Sequence, residues 1–248
     1  MAMAASATVR LDRALSKLGL ASRADAQRLI RAGRVRIGSR IVTDPAAAVV
    51  PERAAIAIDG VRATMPAWRT LALHKPRGAV TTRRDPEGRR TVFDLLGDHS
   101  EGLVTVGRLD LASTGLLLLT TDTRLANWLT DPASGVIRRY VVTARGRVED
   151  DDAARMETGI DGLQASRVTV RKRSERETHL VVELTEGRNR EIRRLFDSVG
   201  HGITRLLRVA YGGIELGRLQ PGSWREIPRS EIEAAFPAAP LRRRVTRI

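Results

Sequence analysis

The chain contains no cysteine, which excludes disulfides and thiolate zinc sites. Its four histidines, His74, His99, His179 and His201, are too scattered for a local metal cluster. No apolar run approaches the ~18 residues that a membrane-crossing helix needs. Met1 to Thr8 is short, small and uncharged, without the apolar stretch of a secretory signal. A soluble, cytoplasmic chain is expected.

What is plentiful is positive charge. Lys and Arg number 43 against 29 Asp and Glu, a formal net charge of +14 over 248 residues. An excess of that size fits a polyanionic partner, and nucleic acid is the default because neutralised phosphates release counterions. A solvated basic surface is the alternative. Hydrophobic residues make up 42% of the chain, enough for a real core.

Residues 9–60 read as one small unit. Leu11, Leu15 and Leu18 share a helical face that stops at Gly19. Ser22 is a suitable N-cap for a second helix, with Asp25 three residues on as an acidic form of the capping box. That helix carries Leu29 and Ile30 inward and ends at Gly33, and two short strands then flank Gly38-Ser39. This unit holds ten basic residues against five acidic ones. Residues 61–68, with Met65-Pro66-Ala67, read as a linker, 69–235 as a larger unit, and 236–248, with Arg242, Arg243, Arg244 and Arg247, as a basic tail.

In the larger unit, 103–106, 116–119, 140–142, 168–170 and 180–184 have strand character, while 125–129 and 190–199 look helical. No βα repeat is present, so an α+β fold around a central mixed, largely antiparallel sheet is expected. Trp128, Leu195, Phe196, Trp224 and Tyr211 read as packing residues, and His74 as a satisfied loop histidine.

The most informative stretch is Gly107-Arg108-Leu109-Asp110-Leu111-Ala112-Ser113-Thr114-Gly115, followed by Leu116 to Leu119. A run of four leucines is apolar on both faces, which predicts a buried strand. The loop before it presents one guanidinium beside one carboxylate, where catalytic groups tend to lie. A structural ion pair between Arg108 and Asp110 is the competing reading.

Two resemblances bear on these segments. Arg10-Leu11-Asp12, Ser22-Arg23 with Gln27, and Ile30-Arg31-Ala32-Gly33-Arg34-Val35 resemble the S4 RNA-binding domain. That implies a helix pair and short strands presenting Arg13, Lys17, Arg23, Arg28, Arg31 and Arg34 to structured RNA. The stretch from Gly107 to Leu117 is similar to the catalytic loop of RsuA/RluB-type ribosomal RNA pseudouridine synthases, matching every fixed position of Gly-Arg-Leu-Asp-x-x-(Ser/Thr)-x-Gly-Leu-Leu. Leu73-His74-Lys75-Pro76-Arg77-Gly78, Arg138-Arg139-Tyr140-Val141-Val142 and the helix start from Glu186 to Phe196 resemble further family segments in the same order.

The resemblance implies Asp110 as catalytic aspartate, Arg108 beside it, Tyr140 as the active-site tyrosine and Arg193 as the arginine pairing with the aspartate. Lys75 is expected among the RNA-contacting cations. His74, Asp131-Pro132-Ala133 and Glu191 depart from the usual family residues, and Glu191 is a second carboxylate that could compete for Arg193. The implied reaction isomerises uridine in ribosomal RNA, with large-subunit RNA favoured, without cofactor or metal, in a monomer. A small-subunit synthase and a non-catalytic S4-type RNA-binding or ribosome-assembly protein are the alternatives.

Overall fold

The computed structural model describes residues 8–51, 54–63 and 66–241, apart from the Lys17 side chain. The expected RNA contact of that side chain and the four arginines of the tail fall outside the described residues.

The first unit comprises β1 (Val9–Arg10), α1 (Leu11–Lys17), α2 (Arg23–Arg31), β2 (Val35–Ile37), β3 (Arg40–Ile41), β4 (Ala48–Val49), β5 (Ile56–Ile58) and β6 (Val61–Arg62). Ser22 caps α2 as its sequence predicts: its Oγ accepts the Asp25 N–H at 3.1 Å and donates to the Asp25 carboxylate at 2.7 Å. Ala26 and Ile30, rather than Leu29 and Ile30, are the fully buried pair of that helix. They pack on Leu11, Ala14, Leu15 and Val35. Val61 and Arg62, expected in the linker, pair with Ile58 and Ala57. The first unit's four-stranded sheet, in the order β3-β2-β5-β6, therefore runs to Arg62.

The second unit comprises β7 (Thr70–Lys75), β8 (Val104–Thr105), β9 (Thr114–Thr120), α3 (Thr123–Thr130), β10 (Arg138–Arg145), α4 (Asp150–Thr158), β11 (Arg167–Arg173) and β12 (Glu177–Leu184). It continues with α5 (Glu191–Ser198), β13 (Ile203–Tyr211), β14 (Ile214–Glu215), β15 (Trp224–Glu226) and α6 (Arg229–Ala235). One sheet runs β11-β12-β10-β13-β9-β7-β15, with β14 on β13 and β8 on β9. Every pairing is antiparallel except β13 with β9. The fold is α+β with a mixed, largely antiparallel sheet.

The four leucines of β9 divide by parity between two cores, as expected of a strand covered on both sides. Leu117 and Leu119 join Val142, Leu180 and the α5 residues Ile192, Leu195 and Phe196. Leu116 and Leu118 join Leu125, Leu129, Tyr211, Ile232 and Phe236 on the other face. Phe236, expected in the tail, is buried, and the Cβ of any residue replacing Gly212 would lie 2.2 Å from its ring. Ala239 and Leu241 pack on the same core, so the chain stays docked on the sheet through Leu241.

Candidate active site

The loop before β9 is clamped from several directions. The Ser113 N–H closes a turn on the Asp110 carbonyl at 3.0 Å, and the Gly78 N–H donates to the Leu111 carbonyl at 2.9 Å. Thr81 Oγ1 donates to the Leu109 carbonyl at 2.8 Å. Lys75 ends β7 opposite Gly115, and its ammonium donates to the Ser113 carbonyl at 2.8 Å and the Pro76 carbonyl at 3.1 Å.

That geometry corrects the expectation for Lys75. The side chain is fully buried, so it braces the loop from beneath and presents no charge to a phosphate. Burial pushes its pKa down to about 8, with the nearby Asp110 carboxylate opposing the shift and Arg208 adding to it.

Asp110 opens on a cavity of about 140 Å³, shared with Arg108, Tyr140, Arg138, Arg193, Glu191, Arg208 and Tyr211. The loop before β9, strands β10 and β13, the first turn of α5 and the ends of α3 and β12 converge there. Tyr140 is a buried strand residue opposite Val182 and Arg208. The structure thus brings Asp110, Arg108, Tyr140 and Arg193 together. The Asp110 carboxylate and the Arg108 guanidinium make no hydrogen bond or ion pair with each other or with other described residues.

Arg193 faces the cavity without the expected ion pair. Its Nη1 donates to the Ile203 carbonyl at 3.3 Å, and its Nε is buried with no partner. Burial and the neighbouring Arg190 push its pKa down, with Asp110 and Asp197 opposing. Nor does Glu191 compete for it: its Oε2 accepts the Arg188 N–H at 3.0 Å. Burial pushes the Glu191 pKa up.

Beneath the cavity lies a polar layer that the sequence reading did not identify. Arg138 Nη2 donates to the Leu129 carbonyl at 2.9 Å and to Tyr211 Oη at 3.0 Å, while the phenol donates to Leu129 at 2.7 Å. Both Arg138 and Arg208 lie over the Tyr211 ring, at 5.0 and 5.1 Å from its centroid. Arg208 Nε donates to the Leu116 carbonyl at 2.7 Å. Strand parity carried a signal: Arg138 shares a face with buried Tyr140 and Val142, and Arg208 with buried Leu206 and Ala210.

Comparisons with known proteins place the chain in a family. Residues 69–198 match the model of the RNA pseudouridylate synthase family, and residues 9–53 match the S4 domain. An uncharacterised RNA pseudouridine synthase of Aquifex aeolicus is 35% identical, over 94% of this chain and 96% of its own. The chain belongs to the RNA pseudouridine synthase family. The ribosomal large subunit pseudouridine synthase B of Vibrio cholerae is 38% identical over 90% of this chain and 73% of its own. Its counterpart in Escherichia coli O157:H7 is 40% identical over 88% and 79%. A crystal structure of a pseudouridylate synthase superposes with a TM-score of 0.63 at 27% identity, covering 91% of this chain and 98% of that one.

Around this synthase's S4 unit, the basic residues expected at RNA divide into two groups. Arg34 forms two hydrogen bonds to Asp59, at 2.7 and 2.5 Å, and Arg28 is paired with Asp25. Arg13 and Arg31 are exposed and their guanidinium groups have no partner among the described residues, while Arg23 Nε reaches Asp12 at 3.5 Å. Among the described residues, no helix is long and apolar enough to cross a membrane.

Proposed function

We propose that this chain converts uridine in large-subunit ribosomal RNA to pseudouridine, with Asp110 as the catalytic carboxylate. The observation that carries the reading is an aspartate, without an ion-pair partner among the described residues, in a cavity shared with a tyrosine and buried guanidinium groups. Relatives named as large-subunit synthases B support the choice of RNA. The same reading puts the protein in the cytoplasm, with ribosomal RNA as its partner.

The reaction breaks the N1–C1′ bond of a uridine, turns the uracil and joins C1′ to C5. The C5 proton is lost and N1 gains one, so no net oxidation occurs. An ionised aspartate suits a ribosyl carbon gaining positive character, whether it adds to C1′ or removes the 2′ proton. Lys75 and Arg193 both lie within electrostatic reach of that carboxylate and surround it with positive charge. Tyr140 supplies an aromatic face for the uracil while it turns. Arg108 stands exposed at the mouth, where it can fill the stack that the extruded base vacates, a step costing a few kcal/mol. Arg13, Arg23 and Arg31 supply phosphate contacts outside the cavity.

Carbodiimide-blocked reverse transcription across both ribosomal RNAs, in wild type and in a strain lacking this gene, tests the substrate. The expected result is one or more stops in large-subunit RNA that vanish in the deletion and return on complementation. Loss of stops in small-subunit RNA alone contradicts the assignment.

A further inference from the structure

A second cavity, of about 600 Å³, lies where the two units meet, lined by Arg13, Ser16 and Arg23 of the first and by Arg108, Asn127 and Thr130 of the second. Gly107, Arg108 and Thr130 line both cavities, so the two adjoin. Its volume falls in the ~300–1,000 Å³ range of small-molecule sites, whereas the inner cavity is far smaller.

The lining is chemically one-sided. Three guanidinium groups and several hydroxyls line the cleft, and no carboxylate does so among the described residues. Arg13 makes no side-chain hydrogen bond with the described residues. Arg23 is steered by Asp12 with its side chain still 62% exposed. Asn127 is exposed on α3, where its backbone carbonyl accepts the Thr130 hydroxyl and the Asp131 N–H. Its side-chain amide makes no bond within the described chain. An amide offers one donor and one acceptor to a base edge, and unstacked RNA exposes such edges.

We propose that this cleft holds the nucleotide next to the target uridine, with its phosphates on Arg13 and Arg23 and its base read by Asn127. The inference rests on the reading that the chain modifies RNA. An extruded uridine in the inner cavity drags its neighbour to the mouth, where Arg108 adjoins the cleft that Arg13 and Arg23 also line. The nucleotide bridges the two units, so the S4 unit contributes directly to seating the target.

Because the chain lacks cysteine, single thiols report on the cleft cleanly. Asn127→Cys in the full chain is alkylated with N-ethylmaleimide, with and without saturating large-subunit ribosomal RNA, alongside Glu175→Cys, an exposed position on the β11–β12 hairpin. The RNA is expected to slow alkylation tenfold or more at position 127 and little at 175. In parallel, Arg13→Ala/Arg23→Ala lowers the slope of log affinity against log salt by roughly 1.4, about 0.7 per single-strand phosphate contact. Equal rates at position 127 with and without bound RNA, or equal protection at both positions, overturn the proposal. If wild type binds the RNA and releases tritium from [5-³H]uridine while position 127 stays unprotected, only the cleft assignment fails. If wild type releases no tritium, the functional reading itself has failed.

Discussion

Arg193 and Asp110 face the same cavity without touching: the guanidinium bonds the Ile203 carbonyl and leaves its buried Nε unpartnered. The interaction between them acts through space, and a half-buried cation in that position acts on charge that develops in the cavity as the bond breaks. Removing it should therefore affect the chemical step more than RNA affinity. Arg193→Met is expected to lower kcat by roughly 10²–10³-fold, the scale of losing one preorganised electrostatic partner. KM should stay within about threefold. Single-turnover tritium release checks this, and Arg193→Lys, which keeps the charge, should recover part of the rate.

Gly115 is where the parallel pairing of β9 and β13 draws two backbones together. A Cβ there would lie 2.2 Å from the Arg208 carbonyl oxygen and 2.6 Å from its nitrogen, and φ is +110°. Gly115→Ala is expected to cost on the order of 3 kcal/mol or more, from overpacking and backbone strain together. Urea midpoints measure it.

Lys75 gives a pH dependence of known sign. Its folded pKa is about 8, below the ordinary ~10.4 of an unfolded lysine. Between those values the unfolded chain binds more protons, so stability rises with pH through that window. Below pH 8 both states carry the proton and the cost of burying the charge is present in full. Wild type should therefore gain stability relative to Lys75→Met between pH 8 and 10.5, followed by urea midpoints at each pH. A flat difference contradicts the buried-ammonium assignment.

Asp12 behaves in the opposite sense. Burial alone raises its pKa, but hydrogen bonds from Gln27, Arg10 and the Arg13 N–H outweigh burial and hold it at about 2. Its contribution is present above the unfolded value near 4 and is lost as pH falls toward 2. Asp12→Asn should destabilise the chain at neutral pH, and the deficit should shrink as pH falls through that range. Hydrogen exchange of α1 and α2 amides reads it locally.

Much of the architecture was legible because local pattern and tertiary demand agree. The β9 leucines announce a strand buried on both faces, and Ser22 with Asp25 announces a capped helix. Strand β7 was harder, since its short apolar stretch ends in a lysine that only the fold makes buriable, through two backbone carbonyls. The same holds for Arg138 and Arg208. A sequence does not reveal that a guanidinium will lie against Tyr211 and reach carbonyls of other strands and helices. The Asp110 loop was legible through its motif, whereas the missing contact between Asp110 and Arg193 depends on distances that residue types do not fix.

In the proposed reaction the carboxylate at position 110 carries the isomerisation. The most direct test of that role is tritium release from [5-³H]uridine-labelled large-subunit ribosomal RNA by wild type and Asp110→Asn, with RNA binding measured in parallel. Release by wild type, none by the variant, and comparable binding by both are expected. Undiminished release by Asp110→Asn contradicts that role.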